Sequence, residues 1–191
     1  MSYTMRKAIP SDTQLIWNLL EETIQWLRSR GSDQWSTWRT WGGPSGKVTR
    51  AISDGYVWLL FDGSVLVATI TVEERGDPDF WTVDELAEPA LYVSKLAVSR
   101  MYAGQSIGYL LLEWVRDRAY RRKANWIRLD AWRTNKELHA YYFRHGWEFV
   151  RDVDNPHRES GTLFQCRPMP MPTDLANQIN ETPRSAAGTQ P

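Results

Sequence analysis

Cysteine is almost missing from this chain: Cys166 is the only one in 191 residues. A single thiol excludes an intramolecular disulfide and any CxxC metal knuckle. Histidine is scarce as well, confined to His139, His145 and His157. An excess of one charge sign is also absent, because 23 basic residues balance 23 acidic ones. With no net field, nothing global draws the chain to nucleic acid or to an anionic membrane. No apolar run is long enough to span a bilayer, and the opening MSYTMRKAIPSD contains no signal-peptide stretch. The expectation is a cytoplasmic protein with no resident metal and no nucleic-acid or membrane partner, acting as a monomer or homodimer.

What is present fits one compact domain of ordinary composition, with 42% hydrophobic residues. Eleven tryptophans stand out, three of them together in QWSTWRTWGG. Pro10 and Ser11 open a helix on whose face Ile16, Leu20, Ile24 and Leu27 recur, with Ser11 and Gln14 spaced as a capping box. A short helix over 45–54 follows. Strands are expected at 56–61 and 64–72, joined by the hairpin signal Asp62-Gly63. The acidic stretch 73–88 reads as a loop, and LYVSKLAV at 91–98 as a strand.

The next helix carries Ile107, Leu111, Val115 and Ala119 at steps of four. WIRLDAW at 126–132 alternates as a strand. A helix capped by Thr134 or Asn135 runs to Gly146, and strands at 147–153 and 161–166 finish the set. The Pro/Ser/Thr-rich remainder, 169–191, reads as a disordered tail behind a domain spanning 1–168.

Between the fourth strand and its helix lies AGQSIG, Ala103 to Gly108. As Gly-x-Ser-x-Gly it would be a nucleophile elbow with Ser106 attacking an ester. An elbow needs the strand to run straight into the turn, yet Ser99 to Tyr102 intervene. The histidines, read as solvated surface residues, offer Ser106 poor partners. As a glycine-bearing turn opening a helix, the same stretch is an anion cradle. Gly104 and Gly108 permit close backbone approach, and the amides up to Tyr109 point out of a helix N-terminus.

The surrounding residues favour the cradle. LYVSKLAVSRMYAGQSIGYLLLEW followed by LDAWRTNKELHAYYFRHGWEFV resembles the GNAT superfamily of acyl-CoA-dependent N-acyltransferases. The likeness lies in a strand with a Leu-Ala-Val run, a glycine turn into a helix, and Asn135, Tyr142, Gly146 and Trp147 at the family's spacings. Two positions depart from the pattern: Ala103 stands where the family has Arg or Gln, and Ser106 where it has a middle glycine, here assigned a helical conformation.

The resemblance implies an α/β (α+β) fold with a mixed, mostly antiparallel central sheet of about seven strands and helices on both faces. It implies acetyl-CoA as co-substrate, with its pyrophosphate on Ala103, Gly104, Gln105, Ser106, Ile107, Gly108 and Tyr109. The pantetheine arm would lie along Leu96, Ala97 and Val98, and Asn135 would contact that arm or cap its helix. Tyr142 would be the general acid, donating to the departing sulfur. The base is not legible; Glu73, Glu74 and Asp130 are candidates.

The implied activity is acetyl transfer to a small-molecule amine such as an antibiotic, amino-acid derivative or polyamine. A catalytically silent CoA-binding or partner-binding module and a protein or peptide N-acetyltransferase remain the alternatives. Acceptor choice would rest on Trp26, Trp35, Trp38, Trp41 and the loop 152–159. Glu73, Glu74, Asp152 and Asp154 would suit a cationic acceptor.

Overall fold

The computed structural model describes residues 2–35, 46–158 and 160–182. In chain order they form β1 (Tyr3–Lys7), α1 (Thr13–Ser29), α2 (Lys47–Ser53), β2 (Val57–Asp62), β3 (Val65–Glu73) and α3 (Val83–Ala87). Then come β4 (Ala90–Val98), α4 (Ile107–Arg121), β5 (Trp126–Trp132), α5 (Lys136–Arg144), β6 (Glu148–Asp152), β7 (Ser160–Cys166), α6 (Thr173–Ala176) and β8 (Ile179–Glu181). The strands make one sheet in the order β6-β7-β5-β4-β3-β2-β1-β8. Neighbours are antiparallel except β4 with β5 and β1 with β8.

Alternation along the strands sends side chains to opposite faces and sorts them into two layers. On β2, Trp58 and Leu60 join Leu110, Leu111 and Val115 of α4. Val57, Leu59 and Phe61, on the other face, meet Ile16, Leu20 and Ile24 of α1 and Val48 and Ile52 of α2. Each fully covered aliphatic side chain of this kind contributes about 1.5–3 kcal/mol. Farther along the sheet a third cluster, Phe80, Trp81, Tyr92 and Leu163, closes the face left open by the first two helices. The mixed sheet with helices on both faces is the expected architecture.

Four local expectations are corrected. The sheet has eight strands, because residues 173–181 are not a disordered tail: α6 leads into β8, which pairs with β1. Glu181 holds it there, accepting from Trp114 Nε1 at 3.3 Å and pairing with Arg118 at 3.2 Å. A three-residue strand has too little pattern to be read without those partners. The acidic loop contains α3, whose Thr82 and Glu85 form a capping box. The entry to α1 is braced by Asp12 and not by Ser11: its carboxylate accepts from Ile9 N–H and from Arg6 at 2.7 Å. His139 is buried, its Nε2 lying 2.8 Å from the Trp132 carbonyl oxygen.

Candidate active site

β4 and β5 run together and then part. Their pairing covers Ala90–Val93 against Trp126–Leu129, while β4 continues to Val98 and β5 to Trp132. On its other side β4 stays bonded to β3 as far as Val98. The β5-facing edge of residues 94–98 is therefore left with unused backbone groups, the kind of edge an extended ligand can extend. A cleft of about 960 Å³ occupies the gap. Leu96 and Val98 line it, whereas the Ala97 side chain is buried on the α1 face.

The turn before α4 opens onto the same gap. A 3-10 turn, Arg100–Tyr102, separates it from β4, so the strand-to-turn geometry of a nucleophile elbow is not formed. Ser106 caps the helix with φ 58° and ψ 21°, a left-handed backbone and not the helical one expected. The amides of Ala103 and Gln105 are consumed within the turn, donating to the Arg100 and Tyr102 carbonyls. Those of Ser106, Ile107, Gly108 and Tyr109 precede the first helical bond, from Leu110 N–H to the Ser106 carbonyl. Of the amides 103–109, those of Ala103 and Gln105 are therefore spent within the turn. The Ile107 side chain is in the core, so only its backbone faces outward there.

The two glycines are needed for different reasons. Gly104 has φ +78° and open space around it, so its role is conformational. Gly108 lines the cleft, and a Cβ there would lie 3.0 Å from the Tyr141 hydroxyl oxygen. That hydroxyl stands over the first turn of α4, and its ring meets His145, which in turn stacks on Tyr109. Burial pushes the Tyr141 phenol up to about 12. Tyr141 went unnoticed in the sequence because it adjoins Tyr142; its i+4 relation to His145 is the signal that singles it out.

Tyr142 lines the cleft from α5, its ring fixed by Trp147, Phe164 and Tyr141. Burial, then the neighbouring Tyr141 and Asp130, raises its pKa well above the ordinary phenol value. Asn135 caps α5, accepting from Leu138 N–H at 2.9 Å and donating to Gln34 Oε1 at 2.7 Å.

Of the acids, Asp130 and Glu73 line the cleft. Burial raises the Asp130 pKa against the opposing pull of Ser160, Arg158 and Lys95. Glu74 is exposed and paired with Arg122, Asp154 is paired with Arg133, and Asp152 accepts from Thr162. These three are held outside the gap, so of the four acids expected to suit a cationic acceptor only Glu73 lines it, beside Asp54, Asp77 and Asp130. Trp35 lines the cleft, Trp26 lies under Arg100 at the surface, and Trp38 and Trp41 lie outside the described residues. Among the described residues no cluster of His, Cys, Asp or Glu suits a metal ion, and no helix is long and apolar enough to cross a membrane.

Comparison with known proteins identifies the family and the fold. The sequence model of the acetyltransferase (GNAT) family matches residues 16–147. The chain belongs to the GNAT acetyltransferase family. Among GNAT proteins it is 34% identical over 146 residues to YesJ, an uncharacterized N-acetyltransferase of Bacillus subtilis (strain 168), covering 75% of this chain and 80% of that one. Its fold superposes on a GNAT acetyltransferase from Listeria monocytogenes 4b F2365 with TM-score 0.72 and 24% identity, over 86% of this chain and 94% of the other. PaiA N-acetyltransferase from Thermoplasma acidophilum, in complex with coenzyme A, matches with TM-score 0.65 and 18% identity, over 87% and 99%.

Proposed function

We propose that this GNAT protein transfers the acetyl group of acetyl-CoA to the amine of a small molecule. The observation that carries the reading is the meeting of three features at one cleft: the parted edge of β4, the open first turn of α4, and Tyr142. The coenzyme A in the structural neighbour from Thermoplasma acidophilum supports the same reading.

The residues present fit such a donor. The amides of Ser106 to Tyr109 hold its diphosphate, aided by the positive end of the α4 dipole. Gly108 keeps that surface free of a Cβ. The unused edge at Leu96, Ala97 and Val98 receives the amide-bearing arm as an added strand, and a backbone N–H there polarises the carbonyl to be attacked. Acetyl-CoA, when bound, supplies the acetyl group as a thioester.

Asp130 takes a proton from the amine as its nitrogen bonds to the acetyl carbon and the carbon–sulfur bond breaks. Tyr142 gives its hydroxyl proton to the sulfur. Solvent then restores both side chains, Asp130 releasing a proton and Tyr142 regaining one. Burial makes Asp130 a better base and keeps Tyr142 protonated until sulfur needs it, so one environment tunes both groups.

The test is acetyl-CoA-dependent release of free thiol across a panel of amines, with calorimetric titration of coenzyme A alongside. Amine-dependent thiol and an acetylated amine product are expected. Coenzyme A binding without any amine-dependent thiol release would refute transfer while leaving the binding site intact.

A further inference from the structure

β4 carries one residue too many opposite β3. Thr69 pairs with Ala97 and Thr71 with Ser94, so Lys95 and Leu96 together face Ile70. At this bulge Lys95 takes φ +50°, a left-handed conformation that costs a residue with a Cβ about 1–2 kcal/mol. Bulges re-aim side chains, and strain of this kind is retained where the surroundings enforce it. Here the bulge sits just past Val93, the last β4 residue paired with β5, and Lys95 lines the cleft.

Lys95 is poorly matched for charge. Its hydrogen bond is to the neutral Ser94 Oγ at 3.4 Å. None of the ion pairs among the described residues includes it. Glu73 from β3 and Asp130 from β5 favour its charge, while Lys47 from α2 and Arg158 from the segment before β7 oppose it. Arg158 is itself already matched by Asp77 and Asp79. Burial is the largest influence on Lys95 and loosens its hold on the proton. A desolvated cation of this kind gains most from a bound anion.

Resting on the acetyl-transfer reading above, we infer that the acceptor is of amino-acid type, its carboxylate taken by Lys95 beside Lys47 and its amine, neutral once the ammonium form has given a proton to solvent, turned towards Asp130. The bulge and the parting of the strands put these opposite charges on facing edges of one gap. A polyamine meets the wrong sign at Lys95 and Lys47, and an amine without a carboxylate leaves Lys95 unmatched.

The experiment measures acetyl-CoA-dependent thiol release with the twenty proteinogenic L-amino acids, their carboxamides and a set of polyamines and decarboxylated amines. At least one acid should exceed its own carboxamide about tenfold or more in kcat/KM. Lys95→Gln should reduce that ratio about tenfold, chiefly through KM for the acid, and Lys95→Arg should preserve it. A ratio near one in the native protein, or a ratio unmoved by Lys95→Gln, overturns the inference. Turnover confined to polyamines or decarboxylated amines overturns it too, while acetyl transfer stands. If no amine is turned over, equilibrium binding of the acids and their carboxamides to the coenzyme A-saturated protein decides. Tighter binding of an acid supports the carboxylate site at Lys95 although transfer itself is refuted, and equal or no binding overturns the inference. Failure to bind coenzyme A at all removes the acetyl-transfer reading and this inference with it.

Discussion

Gly108→Ala separates the cradle from the fold. The added Cβ would stand 3.0 Å from the Tyr141 hydroxyl oxygen, closer than ordinary van der Waals contact. Tyr141 has little room to retreat, with the His145 ring 4.5 Å away and Tyr142 5.8 Å away. The methyl group therefore stays over the first turn of α4, where the diphosphate would approach. Losing one amide-to-phosphate hydrogen bond costs about 1.5–3 kcal/mol. That weakens coenzyme A binding about 10- to 100-fold.

The fold gains from the same change, because alanine is favoured over glycine in a helix by up to about 1 kcal/mol, which offsets the crowding of Tyr141. Calorimetry should show the weaker Kd while the melting temperature stays within about 4 °C of the native protein. Gly104→Ala provides the contrast: it meets no atom within 4 Å but must hold φ +78°, so it lowers the melting temperature. An unchanged coenzyme A Kd in a normally melting Gly108→Ala protein would refute the placement of the cradle.

Tyr142→Phe should lower kcat about 100-fold, within the usual range for a lost general acid, with coenzyme A Kd unchanged; unaltered turnover would remove Tyr142 from the chemistry. Glu85 gives a pH prediction. Its hydrogen bonds from Arg151, at 2.6 and 2.7 Å, hold its carboxyl down to about 2 from 4.5. A depressed carboxyl stabilises the fold above its unfolded value and stops doing so as pH falls towards 2. Allowing for partial solvent exposure, native protein should exceed Glu85→Gln by about 1–2 kcal/mol at pH 6 in urea denaturation, with the gap closing between pH 4.5 and 2; a gap independent of pH contradicts the ion pair. Ending the chain at Pro168 removes β8 and the Glu181 contacts to Trp114 and Arg118. Taking that loss as about 2 kcal/mol, the melting temperature should fall about 4–8 °C, measured by calorimetric scanning; no fall would mean that β8 is not docked.

Sequence patterns revealed those parts of the molecule that repeat. The β-branched and aromatic runs in VWLLFD and LYVSKLAV, the alternation in WIRLDAW and the four-residue steps of α1 and α4 announced their elements, because burial writes itself into composition and spacing. Asn135, Tyr142 and Gly146 were legible as a motif. Features made by two distant segments were not. The bulge at Lys95 arises from how Thr69 and Thr71 pair with β4, and nothing in SKLA marks lysine for a left-handed backbone. β8 exists because β1 has an open edge and Glu181 finds Trp114 and Arg118. By contrast, α3 was readable: Thr82-x-x-Glu85 is a capping-box pattern inside a stretch whose acidity hid it. Ser106 shows the limit of propensity, since its residue type suits a helix start yet its backbone is left-handed.

The central claim is that main-chain N–H groups at the start of α4 and along the parted edge of β4 hold the acyl donor. Titrating nitrogen-15-labelled protein with coenzyme A reads those groups directly. The account predicts that the largest amide shifts fall on Ser106 to Tyr109 and on Leu96 to Val98. Saturation with those amides unmoved and the shifts gathered elsewhere would contradict it.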